Sequence, residues 1–378
     1  MIQFHRVRLF GLMSALLVLA VFGSAPALGQ GMPAGFSGMG EASPDYAQVR
    51  ADRTLVFPAD HQAHDYFRLE WWYVTANLTT PDGTPLGLQW TLFRNALSPA
   101  AGEEKTLENP WANETIWMGH AAVTTRDMHY SAERFARGGV GQAGVTGASG
   151  AGSADSMSFA AWIDDWTMAN PNDQSIKTLD VKADGDGFAY DVRLATRRAP
   201  VLQGNQGYSI KAQSGEASHY YSQPFYTVSG TVTIDGKPLD VTGKAWLDRE
   251  WSSQFLNAEQ AGWDWFSLHL KDGRKVMLFR LRGTRDGEFY SGNVIEADGT
   301  TTQVPRGGIT ITPIQRTRIK GRAVPTGWRV QIPTLALDVE TRALNRRAMM
   351  ETLFSYWEGP IDISGSHSGV GYLEMTGY

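Results

Sequence analysis

Three consecutive charged residues, Asp248, Arg249 and Glu250, stand between Trp246 and Trp251 in a stretch that otherwise reads as a buried strand. Charged side chains are rarely buried unless they are paired. Burial against indole rings disfavours the ionised form of a carboxylate and so raises its pKa. A carboxyl group that stays protonated near neutral pH can donate a proton to an unreactive group. Asp248 is therefore a candidate general acid.

The other two charged residues of this stretch are better explained as scaffold. Successive side chains of a strand point to opposite faces, so Asp248 and Glu250 share a face that Arg249 does not. Arg249 can clamp Glu250 or Glu70 in a two-pronged ion pair. Glu70 lies beside two further tryptophans in "LEWWYV", and we expect it to be a charge partner for an arginine. A single cation cannot satisfy every carboxylate here, so the ion-pair explanation is weakest for Asp248.

Aromatic and histidine side chains are predicted to border one apolar cavity with the candidate acid. His219 and Tyr221 fall on a common face of the extended segment "SHYYSQPF". Downstream, "GWDWFSLHL" places Trp263, Trp265 and His269 on one face. In a β-barrel one face of each strand looks into the lumen, which is where such a cavity is expected.

Several other chemistries are excluded or poorly supported. The chain has no cysteine, which excludes thiol catalysis, iron–sulfur clusters and cysteine-ligated zinc. No G-x-S-x-G or His-Glu-x-x-His motif occurs, and His61 and His64 lack the further ligands that zinc needs. A Gly-x-Gly-x-x-Gly pattern at 139–144 sits in a glycine-rich loop rather than between a strand and a helix. We therefore expect neither a metal nor a cofactor.

The elements that must position these residues are strands. Short β-branched and aromatic runs recur from about residue 49 onward, and Asp-Gly turns separate several of them. The segments 71–94 and 263–282 share a layout, with a tryptophan-rich strand, an Asp-Gly turn and a second strand ending on Phe-Arg. The pattern predicts an all-β chain with two similar barrels or sandwiches in tandem. The net charge of −5 gives no reason to expect a nucleic-acid partner.

The N-terminus reads as a secretory signal over residues 1–29, followed by a flexible Gly/Pro/Met/Ser-rich leader over 30–47. Arg6 and Arg8 precede an apolar run, and small residues follow it at the expected cleavage site. A membrane anchor is the alternative, but the run of about 14 residues is shorter than the roughly 20 that a spanning helix needs. The expected product is an exported, periplasmic or secreted protein.

Six motifs resemble the AttH/CrtC family, the lipocalin-like group that contains the carotenoid 1,2-hydratases and many proteins labelled predicted secreted hydrolases. They are "EWWYVTANL", "MGHAAVT", "HYYSQPF", "GKAWLDREWSSQ", "GWDWFSLHL" and "YWEGPIDISG…GVGYLEMTGY", in order from about residue 50 to Tyr378. The resemblance implies two lipocalin-like (calycin) β-barrel domains in tandem. We place the N-terminal domain over residues 48–240 and the C-terminal domain over 241–378.

The resemblance also implies a reaction. The hydratases of the family add water across a carbon–carbon double bond without a metal or redox cofactor. Their polar positions form a His-x-Trp pair followed by a Tyr-x-Asp pair, which by spacing fall on His219-x-Tyr221 and Trp246-x-Asp248. The histidine and the aspartate are kept and the two aromatic residues are exchanged, which puts the substrate in question.

Two functions follow from these observations. In the first, Asp248 protonates a lipophilic isoprenoid or polyene, and His219 orients a water molecule or accepts its proton. The aromatic residues expected to contact this ligand are Tyr221, Trp246, Trp265 and Trp72. In the second, the protein is a carrier that binds a lipid or an apolar metabolite without chemistry. Either function allows transient membrane contact, and the sequence leaves the oligomeric state open.

Overall fold

The computed structural model describes residues 45–99, 113–146, 158–254, 260–283 and 287–378. The predicted signal (1–29) and most of the predicted leader (30–47) lie outside these residues, so export stays a prediction. Within the described ranges, no helix has the length and hydrophobicity to cross a membrane.

The described residues form strands, with two short 3-10 turns at Ala59–His61 and Pro333–Leu335. The strands of the first sheet are β1 (Leu69–Thr79), β2 (Pro85–Ala96), β3 (Thr115–Thr124), β4 (His129–Arg137), β5 (Ala143–Val145), β6 (Phe159–Ile163), β7 (Trp166–Asn170), β8 (Thr178–Gly185), β9 (Phe188–Ala195), β10 (Val201–Leu202), β11 (Tyr208–Ile210), β12 (Ala217–Ile234) and β13 (Lys237–Ser252). Those of the second sheet are β14 (Gln260–Leu270), β15 (Lys275–Gly283), β16 (Glu288–Ile295), β17 (Thr301–Gln303), β18 (Thr310–Ile319), β19 (Arg322–Ile332), β20 (Leu337–Ala343), β21 (Met349–Met350), β22 (Tyr356–Gly365) and β23 (Gly369–Met375).

Each sheet curves into a barrel-like layer. The first runs in the order β4-β3-β2-β1-β13-β12-β9-β8-β7-β6-β5, and the second in the order β17-β16-β15-β14-β23-β22-β20-β19-β18. The predicted all-β class and the tandem arrangement are confirmed. The boundary that we placed between residues 240 and 241 falls inside β13, which pairs with β1 and β12, so the first sheet extends to Ser252.

The two hairpins that looked alike in the sequence hold equivalent positions. The hairpin β1–β2 and the hairpin β14–β15 each turn at an Asp-Gly pair whose glycine has positive φ, +88° at Gly83 and +101° at Gly273. Each first strand also pairs with the last strand of its own sheet, β1 with β13 and β14 with β23. The local turn chemistry and the sheet topology therefore repeat together.

Four apolar clusters stabilise the described residues: one on each sheet, a third where the sheets face each other, and a small fourth one that joins Ala122 of the first sheet to Met350 and Tyr356 of the second. The third cluster combines Tyr73, Tyr220 and Trp246 of the first sheet with Trp265 and Phe279 of the second. The face of β13 that carries Trp246 is thus buried between the sheets, and the opposite face is buried inside the first barrel.

Close packing between the sheets gives a first prediction, at Gly87 of β2. A Cβ atom at this position would lie 2.6 Å from the ring carbons of Pro360 on β22. We expect Gly87→Ala to lower the free energy of unfolding by about 1–3 kcal/mol, because the overlap must be relieved by moving one sheet. Urea denaturation measures the loss. In a Pro360→Ala background the same substitution should cost clearly less, and an equal cost would contradict the contact.

Candidate active site between the two sheets

Asp248 lies on the inter-sheet face of β13 and is 3% exposed. Its carboxylate accepts hydrogen bonds from the Tyr220 hydroxyl (2.6 Å), the Ser222 hydroxyl (2.5 Å) and Trp246 Nε1 (2.6 Å). Within the described ranges, no lysine, arginine or histidine forms an ion pair with it. Burial raises the pKa of Asp248 to about 7, although the three hydrogen bonds oppose the shift. Its protonated form is therefore far more accessible near neutral pH than that of an ordinary aspartate.

The strand register places Asp248 in a row of polar side chains that crosses the first sheet. Six residues lie opposite one another on neighbouring strands β4, β3, β2, β1, β13 and β12. They are Glu133, His120, Thr91, Tyr73, Asp248 and Ser222. Cross-strand neighbours on one face have their Cβ atoms about 5 Å apart. Groups that are far apart in the sequence thus meet along one line facing the second sheet.

Trp246 contacts the Asp248 carboxyl, and Trp265 of the second sheet packs on the residues around it. The ring of Trp265 on β14 packs edge-on against Trp246, with a centroid distance of 6.3 Å, and against Tyr73 at 5.3 Å. Trp265 Nε1 also donates to the Tyr220 hydroxyl at 3.3 Å. The predicted pairing of Asp248 with Trp246 and Trp265 is thus present, and both rings could face a cation formed beside the acid.

Two glutamates of the second sheet lie across from this row. Tyr73 donates a hydrogen bond to Glu358 Oε1 on β22, and Trp263 Nε1 donates to Glu374 Oε1 on β23 at 2.7 Å. Burial raises the pKa of Glu374 to about 7, and burial together with the Glu374 charge raises that of Glu358 well above its usual range. The inter-sheet region therefore holds three carboxyl groups with raised pKa values, those of Asp248, Glu358 and Glu374.

Glu250 differs from these three carboxyls, because it is paired with a cation. Lys211 Nζ lies 2.7 Å from its Oε1, and Ser218 donates to the same oxygen at 2.5 Å. The ammonium group also lies over the Tyr220 ring, 4.2 Å from its centroid. Glu250 is thus held by Lys211 rather than by Arg249.

Arg249 points into the first barrel, where it belongs to a buried ionic network around Glu70. Glu70 Oε2 lies 2.5 Å from Arg249 Nη2, and Oε1 lies 3.1 Å from Arg94 Nη1. The His64 backbone N–H donates to both oxygens at 3.0 Å. Burial alone would raise the pKa of Glu70, but Arg249, His64 and Arg94 hold it well below its usual range. The guanidinium of Arg249 stacks on Trp72 at 3.8 Å from the ring centroid.

His219 and Tyr221 also point into the first barrel. The Tyr221 hydroxyl lies 2.7 Å from His61 Nδ1, and the ring of His219 packs against Trp251 at 5.5 Å. Burial, together with the Arg53 charge, lowers the pKa of His219 to about 4. The prediction that His219 and Tyr221 border one cavity with Asp248 is therefore wrong. Trp72 lies on this barrel side as well, away from the candidate acid.

A β-bulge explains this error. From the hairpin turn to the pair Tyr226–Ala245, the register between β12 and β13 is constant. From the pair Gln223–Leu247 onward, it is shifted by one residue. Without the shift, Asp248 would face Gln223, and His219 would share its face. With the shift, Asp248 faces Ser222, because a one-residue slip exchanges the two faces of a strand.

No metal site emerges from the described part of the chain. It contains no group of three or more histidine, aspartate or glutamate side chains arranged to hold a metal ion.

Comparison with known proteins identifies the family. The sequence profile of the AttH-like family matches residues 48–378. The chain belongs to the AttH-like family. No curated protein sequence matches it.

Two solved structures resemble this AttH-like protein over most of its length. An AttH protein from Nitrosomonas europaea is 30% identical, with a TM-score of 0.74, over 88% of this chain and 99% of the other. Kievitone hydratase from Nectria haematococca is 16% identical, with a TM-score of 0.64, over 91% of this chain and 98% of the other. The second likeness shows the shared fold alone.

Sequence reasoning missed most of the hydrogen-bond partners in this AttH-like site. Glu358 in "YWEGP" and Glu374 in "YLEM" are acids beside large apolar residues, the same signal that drew attention to Asp248. Tyr220 and Ser222 stand in "SHYYSQPF", one residue away from the pair that was chosen. The carboxylates were therefore detectable in the sequence, whereas the correct face of β12 depended on the bulge.

Proposed function

We propose that this AttH-like protein is a hydratase that adds water to a carbon–carbon double bond of a lipophilic molecule held between the two sheets. The observation that carries the proposal is the environment of Asp248. It is a carboxyl without a cationic partner among the described residues, buried between tryptophans of both sheets, with a pKa raised to about 7. The fold shared with kievitone hydratase is consistent with this reaction class.

The surroundings of Asp248 favour an apolar ligand. Besides the tryptophans, the inter-sheet cluster contains aliphatic and aromatic side chains of β15, among them Met277, Phe279 and Leu281. Partly buried aromatic residues, Trp71, Phe225 and Trp263, pack at its margin. Isoprenoid or polyene chains suit these surroundings, since the aliphatic and aromatic side chains offer many apolar contacts beside a few polar groups that can act on the ligand.

The proposed reaction needs one acid and one base. Asp248 gives its proton to one alkene carbon, and the π electrons form the new C–H bond. The other carbon becomes a carbocation, which the faces of Trp246 and Trp265 stabilise. A water oxygen then forms the C–O bond and loses a proton to Glu374. The step ends with Asp248 ionised and Glu374 protonated, so atoms and charge balance.

Glu374 replaces His219 as the proposed base. His219 lies on the barrel side of β12, whereas Glu374 is half-buried and lies on the face of β23 that contacts Tyr73 and Trp263. Its pKa of about 7 suits a group that must accept a proton and release it again near neutral pH.

Incubation of the protein with a panel of acyclic isoprenoids and polyenes in ¹⁸O-labelled water tests the proposal. We expect a product heavier than its substrate by one labelled water, detected by mass spectrometry, and its absence with heat-denatured protein. Recovery of a bound lipid with unchanged mass after prolonged incubation would instead favour the carrier. Neither binding nor water addition across the panel would contradict both functions.

A further inference from the structure

Glu358 is the most deeply buried carboxyl of the inter-sheet region, and one of its oxygens is unpartnered. The residue is 0% exposed, and its Oε1 accepts the Tyr73 hydroxyl. Its Oε2 has no hydrogen-bond partner among the described residues. A buried carboxylate oxygen without a partner is costly, whereas a protonated oxygen can donate. The geometry therefore favours a neutral Glu358 with its proton on Oε2.

A histidine and a tyrosine connect Glu358 to the edge of the first sheet. The Tyr356 hydroxyl lies beside the Glu358 carboxyl and contributes to its pKa. The same hydroxyl lies 2.8 Å from His120 Nδ1, and the two rings stack with a centroid distance of 5.6 Å. His120 Nε2 lies 3.0 Å from Glu133 Oε1. Hydrogen-bond distances thus join Tyr356, His120 and Glu133 of β22, β3 and β4, and the Glu358 carboxyl lies next to the Tyr356 end of this series.

The outer end of this chain reaches solvent. The Glu133 side chain is 19% exposed, in contrast to His120, which is fully buried. The backbone N–H of Leu353, an exposed residue, lies 3.1 Å from both Glu133 oxygens. Glu133 is therefore an acceptor held in place at the surface.

The partners fix the direction of every hydrogen bond in the chain. Burial lowers the pKa of His120, so its imidazole is neutral and carries one N–H. Because Glu133 accepts, that N–H is on Nε2, and Nδ1 must accept from the Tyr356 hydroxyl. The Tyr356 hydroxyl oxygen is then left as an acceptor, to which a protonated Glu358 Oε2 can donate. All donors point from Glu358 toward solvent, which is the arrangement that a proton-conducting chain requires.

We propose that Glu358, Tyr356, His120 and Glu133 form a proton path between the inter-sheet site and solvent, with Glu358 as its inner terminus. The ionisable groups facing Glu358 are Tyr73, Tyr190, Tyr356, Tyr372 and Glu374. None of them is a cation that would hold the carboxyl ionised.

The use of the path in turnover rests on the proposed function. Each hydration leaves a proton on Glu374, which must leave before the next cycle. The Tyr73 hydroxyl lies between Glu374 and Glu358, so the proton can pass from one carboxyl to the other. Glu358 and its partners would then be positioning and relay residues, distinct from the acid at Asp248. The existence of the path does not depend on any substrate.

Infrared spectroscopy on the whole protein tests the path directly. In the difference spectrum between the parent and Glu358→Gln at one pH, we expect a buried protonated carboxyl absorption that the variant lacks. On transfer to D₂O, this absorption should shift quickly in the parent. When every protein compared carries Tyr73→Phe, which closes the second route through Glu374, the shift in Tyr356→Phe should be at least about tenfold slower, because exchange then waits for local opening.

A matched control is Tyr226→Phe, which removes another buried hydroxyl, one that donates to the Ile176 carbonyl in the first barrel. It should leave the exchange rate at the parent value. Nitrogen-15 NMR of the parent adds a measurement that needs no variant, with His120 expected as the Nε2–H tautomer. An absorption that persists in Glu358→Gln, parent-rate exchange in Tyr356→Phe, or an Nδ1–H tautomer would each overturn the path. A protein that shows no hydration activity can still show the infrared and NMR results expected for the path. A protein that hydrates its substrate can likewise lack them, so the two proposals are tested separately.

Discussion

Asp248→Asn should lower the rate of water addition by about 10²–10⁴-fold, which is the usual contribution of a general acid. The amide cannot release a proton to an alkene, yet it has nearly the same shape as the carboxyl. Its oxygen can accept from Trp246 Nε1 and the Ser222 hydroxyl, and its NH₂ group can donate to Tyr220. Fold and ligand binding should therefore persist. The measurement is the initial rate of ¹⁸O incorporation under substrate saturation.

The pH dependence sharpens this expectation. The acid form is the active one, so the parent rate should fall as the pH rises through about 7, the raised pKa of Asp248. Asp240→Asn makes the same exchange at an exposed position of the same strand and should retain the parent rate and profile. Parent-level turnover by Asp248→Asn would show that the proton comes from another group.

The alternation of β13 was readable from the sequence because its charged and aromatic residues occupy both faces of one regular strand. The period of two separated Trp246, Asp248 and Glu250 from Arg249 and Trp251, and the structure buries both sets. The repeat of the hairpins was likewise visible, since an Asp-Gly turn fixes the local geometry of each. These features depend only on neighbours in the chain.

The register between β12 and β13 could not be predicted from the sequence, because it depends on a β-bulge. The shift lies between Gln223 and Tyr226, around Pro224. Proline has no N–H to give to a sheet and within strands is confined to edges and bulges. It marks the irregularity but not its size, and one residue more or less decides whether His219 faces the barrel or the second sheet.

The contacts between sheets were beyond the sequence for a different reason. Tyr73 meets Glu358, and His120 meets Tyr356, across more than 200 residues of chain. Each is an unremarkable residue in its own strand pattern. Only the packing of two separate sheets brings the hydroxyls and imidazole to the buried carboxyl, so no local spacing encodes the proton path.

Glu70→Gln should reduce the free energy of unfolding by about 3–5 kcal/mol, since it leaves the buried guanidinium of Arg249 without its counter-charge and removes one of the two carboxylates that pair with Arg94. Arg94 and Arg249 both contact this carboxylate, and all three residues are fully buried. A buried charge is costly unless it is paired, so most of the expected cost comes from Arg249, because Arg94 keeps its ion pair with Asp65. Urea denaturation at neutral pH measures it.

The same network should set the acid sensitivity of the fold. The pKa of Glu70 is lower in the folded chain than its ordinary 4.5, so its stabilisation is present above that pH and is lost as the pH falls. The gap in stability between the parent and Glu70→Gln should therefore narrow in acid. Asp52→Asn, which removes the acid of the exposed Arg50–Asp52 pair, should leave stability unchanged at neutral pH. If Glu70→Gln were as stable as Asp52→Asn, the charges around Glu70 would not be buried as described. A functional role for the ionic network around Glu70 would then have to be reconsidered.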